Sequence, residues 1–218
     1  MRIRSWLLAL LATLVAGTSV QAQAFAVGAR GGTFGLGGEA VLDLGRVAVR
    51  AGVGAVPFTP RGTISGITYE IEPPSPLTSA GVDFYLLSNL RLLGGILFGA
   101  ERTDFTARLA ESAQIGDRTY TPEQAGTLLG QFQSRSAAPF IALGFGRYGD
   151  TRVGVTLDLG VAFLGENDLE LSATGPFAND PTFRQELEKE RLSVQEDLRR
   201  YTRLLPVLNL GLHVTLSR

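Results

Sequence analysis

The chain has no cysteine, one histidine (His213), one tryptophan (Trp6) and one lysine (Lys189) in 218 residues. Without cysteine there are no disulfide staples and no thiolate metal site. A lone histidine rules out a histidine metal cluster. There is no surplus of charge of either sign, with 20 basic and 21 acidic side chains. That balance leaves no electrostatic footprint for nucleic acid. Beyond the first two dozen residues no run of about 18 apolar residues occurs, so any membrane crossing must be made by strands rather than helices. Phosphate-cradling loops, nucleophile elbows and calcium-loop patterns are missing as well.

What is present begins with an export leader. Arg2 and Arg4 precede the apolar stretch Trp6 to Ala16, and small residues around Ala22 and Ala24 offer cleavage sites. Residues 1–22 are therefore expected to be removed, with cleavage at 24 as the alternative. The mature chain then carries 18 basic and 21 acidic residues, a net of −3, and its roughly 195 residues fit one domain.

At the other end, Leu204 to Leu216 alternates strictly. Pro206, Leu208, Leu210, Leu212, Val214 and Leu216 share one face, against Val207, Asn209, Gly211, His213 and Thr215. Such alternation over about 10 residues suits a tilted strand crossing an outer membrane. The same pattern marks Phe25–Gly32, Leu36–Leu44, Arg46–Pro57, Ala80–Leu87, Leu90–Phe105, Pro139–Gly146 and Val153–Leu164. Residues 25–216 are thus expected to form an all-β, eight-stranded antiparallel transmembrane barrel. Short connections alternate with long ones at 58–79, 106–138 and 165–203, the rule for such barrels. The hairpin at Gly31–Gly35 must turn tightly on the long-loop side. If Val27 to Leu44 is instead one unbroken strand, the count falls to seven, or a long loop hides a strand, with Ile64–Ile71 the candidate. A soluble sandwich also alternates, but its outer face would carry many charged and hydroxyl groups. Here the second face is largely glycine with isolated charges.

The last long loop holds an amphipathic helix, about 180–203. Asp180 caps it, Pro181 suits its first turn, and Phe183, Leu187, Val194, Leu198 and Tyr201 form an apolar stripe amid charged residues.

Several short runs, in order, resemble the small outer-membrane β-barrel proteins that include the ornithine-uptake porins. They are Val27–Arg30 with Gly35–Glu39, Ala138–Gly146, Asp158–Gly165, Ala173–Gly175, Asn179–Phe183 and Leu205–Leu212. That resemblance implies location in the outer membrane. The aromatic C-terminal residue usual in the group is replaced by Leu216, with Ser217 and Arg218 beyond it.

Parity points Arg30, Glu39, Arg50, Asp83, Tyr85, Glu101, Asp158 and His213 into one lumen. With Leu44-Gly45 as a two-residue turn, Asp43 faces Arg46 and Glu39 faces Arg50 directly, an arrangement that pairs opposite charges. An eight-strand barrel is just wide enough to be filled by its own side chains. The expected role is therefore structural or interaction-based, with a filled lumen and no catalysis, cofactor or metal. Alternatives are a narrow porin-like channel for small cationic solutes such as basic amino acids and, further off, a lipid-modifying enzyme using His213 near Thr215 and Ser217. Expected partners are outer-membrane lipids and lipopolysaccharide, plus the barrel-assembly machinery during biogenesis. The protein is expected to be a monomer that binds no nucleic acid.

Overall fold

A computed structural model describes residues 24–64, 67–165 and 168–217. The expected leader lies outside these residues. In chain order the strands are β1 (Ala24–Gly32), β2 (Leu36–Asp43), β3 (Val47–Ala55), β4 (Arg61–Ile64), β5 (Ile67–Glu72), β6 (Leu77–Tyr85), β7 (Leu90–Phe98), β8 (Arg102–Arg108), β9 (Ala113–Ile115), β10 (Arg118–Tyr120), β11 (Thr127–Gln133), β12 (Ala137–Phe145), β13 (Val153–Phe163), β14 (Asp168–Ala173) and β15 (Leu204–Ser217). Eight of them close an antiparallel barrel in the order β1-β15-β13-β12-β7-β6-β3-β2, with β1 pairing both β2 and the final strand. The hairpin at 32–36 does turn, so Val27 to Leu44 is two strands.

Alternation decides which way each side chain faces. On β15, Leu208, Leu210 and Leu212 point outward and are each more than half exposed, as is Val155 on β13. Their neighbours Val207, Asn209 and His213 point inward and are buried. A closed barrel clad in aliphatic residues leaves no backbone edge unpaired in hydrocarbon. Exposed phenylalanines mark both rims: Phe25, Phe84 and Phe145 at the tight-turn end, and Phe58, Phe98 and Phe163 at the other.

The long connections are not loops. Strands β3, β6, β7, β12 and β13 continue past short breaks into β4, β5, β8, β11 and β14. These five form a second sheet in the same lateral order, β14-β11-β8-β5-β4. The expected Leu90–Phe105 strand is consequently two. It stops at Phe98, where Gly99 has φ +84° and lies against the carbonyl of Pro76. The candidate Ile64–Ile71 is likewise part of β4 and β5, outside the barrel.

One face of this outer sheet, with Ile67, Tyr69, Phe105, Leu128 and Leu169, buries a core against the helix Pro181–Thr202. The helix contributes Phe183, Leu187 and Val194. The side chains of Leu198 and Tyr201 lie outside what is described. Asp180 Oδ1 accepts from the amides of Thr182 and Phe183 at 2.9 Å each, satisfying donors that the first turn leaves orphaned. Glu186 and Glu190 grip the tip of the β9–β10 hairpin through the amides of Asp117 (2.7 Å) and Gly116 (3.1 Å). The Asp117 amide first and the Lys189 ammonium second hold the Glu186 carboxyl below its ordinary range. The opposite face of the sheet is polar, with Glu72, Asp104, Gln131 and Glu170 side by side across four strands. Along the same five strands the exterior therefore changes from hydrocarbon to carboxylate and amide.

Candidate functional site

Side chains fill the lumen in three layers. At the long-loop end the layer is apolar, built from Leu77, Leu93, Leu97, Ala138, Phe140, Ala162 and Val207. Phe34 joins it from the β1–β2 turn, edge-on to Phe140 at 5.1 Å, and its amide donates to Asn209 Oδ1 at 3.1 Å. At the tight-turn end Tyr85 and Tyr148 pack with Ala26, Val41 and Ala48. Tyr148 comes from the β12–β13 turn, which folds back into the barrel.

Between them lies an ion network. Arg91 Nη1 donates to Asp83 Oδ1 at 2.6 Å and Nη2 to Asp158 Oδ1 at 2.8 Å; the Arg91 and Asp83 side chains are wholly buried. Arg50 Nη2 lies 2.7 Å from Asp158 Oδ2, its Nε 3.6 Å from Asp83 Oδ2, and its Nη1 3.7 Å from Glu39 Oε2. The Tyr148 hydroxyl accepts from both arginines at 3.2 Å. The His213 ring packs tilted against the Tyr148 ring, with centroids 4.8 Å apart, and the Arg91 guanidinium sits over that ring at 4.8 Å. Arg30 donates to Ser79 Oγ at 2.7 Å and pairs with no carboxylate among the described residues. Lower down, Tyr85 donates its hydroxyl to Asp43 Oδ2 at 3.2 Å. Three arginines and three carboxylates (Glu39, Asp83 and Asp158) thus share the middle layer. Burying such charges is costly unless each is paired, and most of these are.

Glycine makes the space. A Cβ on Gly144 would strike the Arg91 side chain, one on Gly95 the Phe140 ring, one on Gly52 the Arg30 guanidinium and one on Gly154 the His213 ring. These four bulky lumen groups therefore each lie against a glycine of another strand.

Of the eight residues expected in the lumen, Arg30, Glu39, Arg50, Asp83, Tyr85, Asp158 and His213 line it and are buried. Glu101 does not. It falls in the break after β7 and is exposed, because the chain leaves the barrel at Gly99 and parity no longer carries across. The expected register of the first tight turn is also corrected. Leu44 donates to the Val47 carbonyl around Gly45-Arg46, so Asp43 pairs with Ala48 and Glu39 with Gly52. Glu39 reaches Arg50 diagonally, two positions along. A shift of two residues keeps every side chain on its own face. Two central groups were missed. Arg91 shares the parity of Gly95 and was legible, but the doubled Leu92-Leu93 hides the alternation there. Tyr148 sits in a turn, where no periodicity exists to read.

No protein-family model matches this chain, and no curated protein sequence does either. Solved structures do. The crystal structure of CarO2 from Acinetobacter baumannii matches with TM-score 0.62 and 18% identity, over 88% of this chain and 98% of that one. A crystal structure of CarO from the same organism matches with TM-score 0.57 and 19% identity, over 87% and 96%. At such identity the likeness is one of fold.

Proposed function

We propose that this protein is a small integral outer-membrane barrel whose lumen is closed at rest. Its role is structural or interaction-based: it holds the outer sheet and helix at the surface, amid outer-membrane lipids and lipopolysaccharide. The observation that carries this reading is the filling of the lumen from end to end, with an aromatic and aliphatic layer at each mouth and an ion network between. The aliphatic exterior and the fold shared with CarO support the membrane setting. In the cell the barrel-assembly machinery would insert it, and it would act as a monomer.

The cation-channel reading is disfavoured by one feature. Asp83 and Asp158, the carboxylates that would attract a basic solute, are already bonded to Arg91 and Arg50. Catalysis is no part of the proposal either, since His213 is buried against Tyr148 rather than facing lipid. The test is planar-bilayer recording of the purified, folded protein at neutral pH. Silence is expected; large, long-lived openings would overturn the closed lumen.

A further inference from the structure

The two ends of the lumen are stoppered in the same way. Phe34 and Tyr148 are each 1% exposed. Neither belongs to the barrel wall. Phe34 rides on the 32–36 hairpin turn between Gly32 and Gly35, and Tyr148 on the 146–152 turn between Gly146 and Gly149. Both rings could leave the lumen without breaking one rung of the barrel ladder. Between the two rings the wall is partly glycine, with Gly52, Gly144 and Gly154 set against Arg30, Arg91 and His213.

The chamber between the rings is under-satisfied. Arg30 Nε and Nη2 and Arg91 Nε are buried and find no hydrogen-bond partner among the described residues, and Asp83 Oδ2 has only the Arg50 Nε at 3.6 Å. Buried polar groups without partners cost free energy. Water or a polar solute entering the chamber would recover that cost, which favours a second, open state. The chamber also has a definite charge character. Its three guanidinium groups balance its three carboxylates, so an ion of either sign entering it finds no net attraction to offset its own desolvation. A solute without net charge that can both donate and accept hydrogen bonds avoids that cost.

From these features we infer that the barrel is a double-gated compartment: Phe34 at the outer mouth and Tyr148 at the inner mouth swing aside to admit water and small polar solutes of no net charge. This goes beyond a lumen closed at rest, and it makes Phe34 and Tyr148 the movable members of two layers otherwise built from strand residues.

The chain has no cysteine, so a single Ser79→Cys variant gives a clean reporter. Ser79 is buried between the two rings, bonded to Arg30. The folded variant in liposomes is treated with a neutral methanethiosulfonate and with its cationic and anionic analogues. A minor state populated on the order of 1% gives slow labelling, with the neutral reagent faster than either charged one. Adding Phe34→Ala or Tyr148→Ala should speed neutral labelling about tenfold or more, as expected for a shift of a minor state. No labelling in any background, or rates unchanged by both ring variants, would overturn the gates. A charged reagent outpacing the neutral one would overturn the solute class. If the ring variants do not fold, the three-reagent comparison in Ser79→Cys alone still decides between access and none. Bilayer current through the unmodified protein tests the closed resting state separately.

Discussion

Arg91 is wholly buried, and it hydrogen-bonds to Asp83, Asp158 and Tyr148. Arg91→Met should lower the unfolding free energy of the folded barrel by about 3–5 kcal/mol, since it leaves the buried Asp83 carboxylate without a hydrogen bond and Asp158 with Arg50 alone. Denaturant titration in micelles measures it. Pairing that change with Asp83→Asn should recover part of the loss, because fewer buried charges then lack a partner. The control is Arg61→Ala. Arg61 meets Glu70 at 2.7 Å, but both side chains are more than half exposed, so the cost should stay within about 1 kcal/mol. Equal effects at Arg91 and Arg61 would show the network to be energetically idle. Gly144→Val belongs to the same test, because a branched side chain there displaces Arg91 from below.

Among the elements, the helix Pro181–Thr202 depends on its cap and on its grip of the β9–β10 hairpin. Asp180→Ala should cost the helix about 1 kcal/mol, seen as faster amide exchange in its first turn with barrel amides unchanged. The Glu186 tie is pH-dependent. Its carboxyl is held below the ordinary value of 4.5, mainly by the Asp117 amide. A depressed acid contributes stability above the unfolded value and loses it as pH falls through the folded one. The hairpin tip should therefore stay protected near neutrality and loosen below about pH 4.5, read as amide exchange at Gly116 and Asp117. Glu186→Gln should flatten that dependence; an unchanged profile would assign the loosening to another group.

For the whole molecule, barrel and outer sheet share strands but not cores. The outer core of Ile67, Tyr69, Phe105, Leu128, Phe183 and Leu187 is separate from the lumen layers. Replacing residues 166–202 with a short linker should abolish the helical circular dichroism signal and keep the strand signal. The shortened barrel should still resist denaturation without heating. Loss of the barrel would mean that the outer core is needed for closure.

The eight barrel strands, the faces they show and the capped helix are legible along the chain. Each of these follows from local periodicity or from residue types at fixed offsets, and period-2 alternation needs no knowledge of neighbours. Seven of the eight lumen residues were placed by the same rule. The rest depends on contacts between segments far apart in the chain. Strands β4, β5, β8, β11 and β14 are short and half polar. They are strands because the barrel strands below them set their order and spacing, information held in no single segment. The register of Asp43 and Glu39 depends on which two residues make the turn, and a slip of two positions leaves the pattern unchanged. Glu101 left the lumen because Gly99 broke the parity. Tyr148 entered it because a turn, free of any ladder, could fold back against the small side chains Ala26 and Ala48.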